Sequence, residues 1–234
     1  MKLSEEPWPL AGAFWCMEKE LARTEGQYDF GFDLDDVLFP CAEPLIEACK
    51  KAGWIPEDFT LEDLERSRLH EQFGWEEYRE GEFLTPDFFR DQEPFPEVLN
   101  AILSWKRMDA RTCFITARRE PAEQATKEVM QSLGFSPGCV FFSPTEKKHL
   151  IAQELGLLLF VDDRPDSSLN MAGVIPYSFN MPYRFNEYID REIKAKKISN
   201  LYREDWQTTE DLITGKGIHH SVFNTLEKYV EQEA

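Results

Sequence analysis

No run of apolar residues in the chain is long enough or apolar enough to span a bilayer, so a membrane-spanning helix is not expected. The first ten residues, MKLSEEPWPL, lack the apolar core of a signal peptide. Cysteine is sparse: Cys16, Cys41, Cys49, Cys113 and Cys139 are odd in number, and no two form a Cys-x-x-Cys pair. Free thiols in a reducing, cytoplasmic setting are therefore expected, rather than a disulfide framework or a zinc site. Positive charge is also short. Lys and Arg total 26 against 44 Asp and Glu, a formal net charge of −18, which argues against a nucleic-acid polymer or an anionic membrane as partner. A small anionic substrate stays open, because local Lys, Arg or metal charge can reverse the field at one site. There are no internal repeats and no low-complexity segments.

What is present suits a soluble globular chain. At 234 residues with a 42% hydrophobic fraction, it can hold one good-sized core and a smaller appended unit. The organising stretch is Tyr28 to Pro40, YDFGFDLDDVLFP. It opens like a short buried strand and then releases Asp33, Asp35 and Asp36 within four positions. Like charges this close repel and push one another's pKa values up, and a divalent cation would relieve them, so Mg²⁺ is the first expectation. Asp33 and Asp35 lie two apart, pointing the same way on an extended backbone.

The rest of the chain alternates strand and helix. Ala11 to Ala22 predicts a helix before the first strand, with Phe14, Met17 and Leu21 on one side, and Pro44 to Ala52 predicts another, stopped by Gly53. Residues 54–94 are rich in charge and aromatics (Trp54, Phe59, Phe73, Trp75, Tyr78, Phe83, Phe88, Phe89) and contain no β-branched run. They read as a small helical insertion, with cap signals at Thr60/Asp63 and Thr85-Pro86. Next come a helix at Pro96 to Lys106 with Val98, Leu99, Ile102 and Leu103 inward, a strand at Arg111 to Thr116, and a helix at Pro121 to Leu133 with Ala122, Ala125, Val129 and Leu133 inward. A strand at Val140 to Phe142 leads into a capping box, Ser143-Pro144-Thr145-Glu146, and its helix. The apolar run Leu157 to Val161 predicts a central parallel strand, and Val174 to Ser178 a fifth. The tail looks helical and polar, anchored by Trp206, with a last helix carrying Val222, Leu226 and Val230 behind Ser221. The fold class expected is α/β, a doubly wound (Rossmann-like) parallel sheet with a small inserted helical cap.

Four motifs occur in order: the Asp33-x-Asp35 strand end, Ile115-Thr116 closing the second strand, a Lys at a helix start at 147–148, and Asp162-Asp163 closing LLLFV. As a set they resemble the haloacid dehalogenase (HAD) superfamily over about residues 28 to 180. GFDLDDVL, ITAR, SPTEKKHLIAQELG, FVDDRPD and MPYRFN are most similar to its cytosolic 5′(3′)-deoxyribonucleotidase and 5′-nucleotidase group. The resemblance implies a HAD-like core at 28–43 and 95–184, a cap at 44–94, an N-terminal extension at 1–27 and a C-terminal one at 185–234. The cap cannot be matched residue by residue, so base-binding residues are not carried over.

The chemistry implied is Mg²⁺-dependent hydrolysis of a small phosphorylated substrate, such as a nucleoside monophosphate. A sugar phosphate, a phosphotyrosine or a non-catalytic interaction role are the alternatives. Asp33 would be the nucleophile, and Asp35 would protonate the leaving group and then activate water. Asp33, the Asp35 backbone carbonyl and Asp163 would ligate the metal, with Asp162 orienting the site behind them. Thr116 and the Ala117 N–H would hold phosphate. The superfamily's Lys spacing falls on Lys148, leaving Lys147 on the surface. Asp36 reads as a turn residue. Arg118, Trp75 and Phe73 are candidate substrate contacts, and Arg119 and Arg164 lie near the same loops. Cys113 and Arg119 fit the Cys-x₅-Arg spacing of cysteine phosphatases, but the residues between them are mostly strand, so Cys113 is expected to be buried and inert.

Overall fold

Phe30–Phe32 (β1) forms the hub of the sheet, pairing in parallel with Thr112–Thr116 (β2) on one side and Leu159–Asp162 (β4) on the other. The structure is a computed structural model describing residues 28–214, apart from 66–67, 77–80, 108–109, 184–185 and 188. Val140–Phe142 (β3), Tyr177–Asn180 (β5) and Leu201–Arg203 (β6) complete a six-stranded sheet in the order β3-β2-β1-β4-β5-β6, with every pairing parallel. The order reverses direction between β1 and β4. In open α/β sheets such a switch point leaves a crevice at the carboxyl ends of the strands, and the acidic motifs end there. All residues of β1, β2, β4 and β5 are buried, as covering of both sheet faces requires.

Helices fill the crossovers. They are α1 (Ala42–Lys51), α2 (Leu69–Phe73), α3 (Pro86–Arg90), α4 (Pro96–Arg107), α5 (Ala122–Ser132), α6 (Lys148–Glu154), α7 (Pro165–Met171) and α8 (Ile189–Lys196). A further helix, α9 (Trp206–Thr214), belongs to a second unit comprising 1–27 and 206–234, whereas residues 28–205 form the first. No described helix is long and apolar enough to cross a membrane. The helices expected at Ala11 to Ala22 and behind Ser221 lie outside the described residues, as does Cys16. Cys41, Cys113 and Cys139 are free thiols, and Cys49 is buried.

Aromatic packing sets the core. Trp105 of α4 stacks on Phe32 at 5.9 Å and meets Phe30 edge-on at 5.7 Å, and Phe114 packs on Phe135 at 4.9 Å. The buried stripe of α4 is consequently Val98, Ala101, Ile102 and Trp105, with Leu99 and Leu103 only half-buried. On α5 the buried positions are Ala122, Ala125, Thr126 and Met130, so Val129 and Leu133 sit at the margin. Gly31 lets the sheet close. A Cβ there would stand 2.5 Å from both Leu157 Cδ1 and Phe160 Cδ2.

Three local expectations shift. β4 starts two residues later than the apolar run suggests, because Leu157 N donates to Ala152 O and finishes the turn after α6. β5 starts three residues later, since Val174 and Ile175 donate to Met171 O and close α7. The Ser143 capping box does not form: Ser143 Oγ donates to Pro144 O, and a 3₁₀ turn, Thr145–Lys147, precedes α6. The Thr60/Asp63 box is present, and Thr85 Oγ1 accepts from Phe88 N at the start of α3.

Leu45, Ile46, Cys49, Ile55, Phe59, Leu64 and Leu69 form an apolar cluster of their own between β1 and β2 in the chain. Trp54, Phe73, Trp75, Phe83 and Phe88 pack around it.

Candidate active site

Asp33 follows the last residue of β1, and its N–H continues the ladder to Val161 O at 2.9 Å. Asp162 ends β4 and Asp163 follows it. Neighbouring strands in register therefore deliver three carboxylates to one point: oxygens of Asp33, Asp162 and Asp163 lie within 4.8 Å of one another, all buried.

Lys148, at the first turn of α6 and wholly buried, supplies the opposing charge. Its Nζ is 2.6 Å from Asp33 Oδ2 and 3.1 Å from Asp162 Oδ2. Lys147 is exposed one position earlier. Burial opposes the Lys148 charge, but the attraction of Asp162 and Asp33 outweighs it and holds the ammonium above its ordinary pKa. Burial, with repulsion from Asp162 and Asp35, pushes Asp33 up to about 7 against the pull of Lys148. Burial and the charges of Asp162 and Asp33 push Asp163 well up.

The three acids are equipped differently. Asp162 is the most engaged, accepting from Arg164 N at 2.9 Å on Oδ1 and from Ser167 Oγ at 2.6 Å and Lys148 on Oδ2. Asp33 Oδ1 accepts from Leu34 N at 2.8 Å. The Asp163 carboxylate takes no hydrogen bond or ion pair among the described residues, while its backbone carbonyl is held by Asn186 Nδ2 at 2.9 Å. Two buried carboxylates with acceptor capacity left, beside a third held in place by three donors, suit a hard divalent cation that keeps waters.

Asp35 is turned elsewhere. Its carboxylate is gripped by Arg118, from Nη2 to Oδ1 at 2.7 Å and from Nε to Oδ1 at 3.0 Å. Arg118 is itself buried and also donates to Thr126 Oγ1 and Gln92 Oε1. As a substrate contact Arg118 is thus corrected, because its nitrogens are already committed inside the protein. Trp75 and Phe73 likewise stack on each other at 5.2 Å within the aromatic cluster, with Trp54 edge-on to Trp75 at 5.6 Å. Each is only half-buried.

Asp36 adopts a positive φ of 55° in the turn after β1, a conformation that Asp tolerates better than most residues. Its carboxylate accepts from Cys41 N at 2.9 Å and Ala42 N at 3.0 Å, capping α1. Burial and Asp35 raise it to about 6 against those donors. Thr116 ends β2, wholly buried, its hydroxyl accepting from Arg118 N at 3.3 Å, and half-buried Ala117 follows. Cys113 is buried mid-strand, and burial pushes its thiol well up, away from thiolate chemistry.

Several supporting residues escaped the sequence reading. Asn186 joins Asp163 O to Met181 O, and Arg203 Nε donates to Asn186 Oδ1 at 3.2 Å. Tyr183 OH donates to Asp36 O at 2.8 Å; its burial near Asp36 and Asp163 raises its pKa. Asn180 Nδ2 reaches Asp162 O and Ser168 Oγ. Tyr183 and Asn186 lie in the MPYRFN stretch, which did mark the segment. Gln92 and Thr126 carried no signal.

No family model and no curated protein matches the sequence. Solved structures do match the fold. A HAD family hydrolase from Deinococcus radiodurans R1, with bound phosphate and sodium, superposes with a TM-score of 0.54 at 9% identity, covering 82% of this chain and 98% of that one. A predicted phosphoglycolate phosphatase from Haemophilus somnus 129pt gives a TM-score of 0.51 at 14% identity, covering 83% of this chain and all of the other. The chain has the α/β fold of the HAD hydrolases.

Proposed function

We propose that the protein is a Mg²⁺-dependent phosphomonoester hydrolase working through an aspartyl-phosphate on Asp33. What carries the reading is the meeting of Asp33 and Asp163 at one buried point, with Lys148 beside Asp33. Bound between Asp33, Asp163 and the Asp35 carbonyl, Mg²⁺ would supply charge compensation for the phosphoryl oxygens. An Asp33 oxygen attacks phosphorus, the ester P–O bond breaks, and the leaving oxygen takes a proton from Asp35. Water then attacks the phosphorus of the aspartyl-phosphate and gives its proton to Asp35, releasing inorganic phosphate and restoring Asp33. Lys148 neutralises the carboxylates throughout, while Thr116 and the Ala117 N–H steady phosphate oxygens.

The segment 44–94 is proposed as a cap over this edge, and its half-buried aromatics are compatible with a ring-bearing substrate such as a nucleoside monophosphate. The purified protein should release phosphate from 4-nitrophenyl phosphate when Mg²⁺ is added, and Asp33→Asn should not, with its circular dichroism unchanged. Release that is the same in EDTA, or that persists in Asp33→Asn, rejects the mechanism. A panel of nucleoside monophosphates, sugar phosphates and phosphotyrosine then ranks the substrates.

A further inference from the structure

We infer that Arg118 is a positioning residue that sets the direction of the Asp35 carboxylate and ties it to the chain entering and leaving the aromatic-rich insertion. The inference rests on the reading of Asp35 as the acid–base group.

The first observation is the ion pair itself. Arg118 and Asp35 are joined by a fork of two nitrogens, at 2.7 and 3.0 Å on Oδ1 and 3.3 Å on Oδ2. The Arg118 side chain is 1% exposed and the Asp35 side chain 27%, so the arginine is the buried member of the pair and the carboxylate the more accessible one. A planar guanidinium holds a carboxylate in one orientation, which a lysine ammonium would not.

The second observation is what else the guanidinium touches. Nη2 also donates to Gln92 Oε1 at 2.7 Å, and Nη1 to Thr126 Oγ1 at 3.2 Å. Its centre lies 4.2 Å from the Phe89 ring and 5.3 Å from the Phe39 ring. Gln92 in turn donates from Nε2 to Pro40 O at 2.9 Å, and Phe95 N donates to Leu38 O beside it. Phe39 and Pro40 lie on the chain going out to the insertion, and Phe89 and Gln92 on the chain coming back. One side chain therefore touches both connections and the carboxylate of Asp35. Were the position merely structural, removing the arginine would lower the turnover of good and poor leaving groups alike, since lost stability does not distinguish them.

Protonation of the leaving oxygen matters most for a poor leaving group, so the test compares phenyl phosphate with 4-nitrophenyl phosphate. The two differ little in shape, but the nitrophenolate departs with little help. In kcat/KM, which reports steps up to aspartyl-phosphate formation, Arg118→Met should lower phenyl phosphate hydrolysis at least about tenfold more than 4-nitrophenyl phosphate hydrolysis. Asp35→Asn should show the same selective loss, and the double variant should be no worse than Asp35→Asn alone. Gln92→Leu keeps the Arg118 charge and fold, and should shift the ratio in the same direction by a smaller factor. Equal losses on both esters in Arg118→Met and Gln92→Leu, or full additivity with Asp35→Asn, overturn the inference while leaving the hydrolase reading intact. A wild-type protein that releases phosphate from neither ester overturns both.

Discussion

Lys148 Nζ stands 2.6 Å from Asp33 Oδ2, with neither side chain more than 5% exposed. The same ammonium reaches Asp162, so one cation neutralises two buried acids from adjacent strands. Lys148→Met would leave those acids facing each other without compensation. It is expected to destabilise the metal-free protein by about 3–5 kcal/mol, the usual cost of removing one partner of a buried pair. Urea unfolding measures this, with Lys147→Met as the exposed control expected to stay within about 0.5 kcal/mol. Equal stabilities of the two variants would dissolve the Lys148 assignment.

The carboxylate shifts give the metal-free protein a characteristic pH response. Asp33 is raised to about 7 and Asp36 to about 6, both from 3.8, and Asp163 is raised as well. Between pH 4 and 7 the folded protein thus holds protons that the unfolded chain has released. The contribution of these groups to stability is greatest below pH 4 and is lost as the pH rises through 6 and 7. In EDTA the melting temperature of wild type should fall over this range more steeply than that of Asp163→Asn. Added Mg²⁺, binding the ionised carboxylates, should raise it more at pH 7.5 than at pH 5. A Mg²⁺ effect larger at pH 5 would contradict the carboxylate site.

Asn186 grips the backbone of Asp163, and Arg203 grips Asn186. Asn186→Ala should loosen Asp163 and weaken Mg²⁺ binding about 10- to 100-fold. Calorimetric titration of the protein with Mg²⁺ alone reads this without turnover, and an unchanged affinity would assign Asn186 to loop packing only.

Gly31 leaves no room for a methyl group beneath Leu157 and Phe160. Gly31→Ala should cost about 1–3 kcal/mol through overpacking of the central strand. Gly81, with nothing within 4 Å of a built Cβ, is the matched control, and Gly81→Ala should not lose stability. Urea midpoints distinguish them.

Much of this site was legible along the chain because its signals are local and one-dimensional. LLLFV followed by two acids, or FGFDLDD, marks a buried strand that ends in charge, whatever packs around it. The resemblance of KHLIAQELG to the superfamily's spacing, rather than anything in the chain itself, favoured Lys148 over Lys147. Strand starts were less legible where apolar residues serve two roles: Leu157 and Val174 read as strand but close helical turns, because backbone N–H groups leaving a helix must still find acceptors. β6, Leu201–Arg203, went unread because three residues in a polar tail have too little pattern to register.

Arg118 shows where sequence stops. Next to Thr116 and Ala117, an arginine suggests a hand held out to a substrate, yet it is folded inward onto Asp35, Gln92 and Thr126. The chain alone determined which residues end strands and in what order the acids, the threonine and the lysine appear, because periodicity and spacing are properties of neighbours. Only the tertiary structure decided which charges pair. Coulomb energy depends on separation and burial in space, and those are set by strands and helices that meet across more than eighty residues of intervening chain, as Asp35 and Arg118 do.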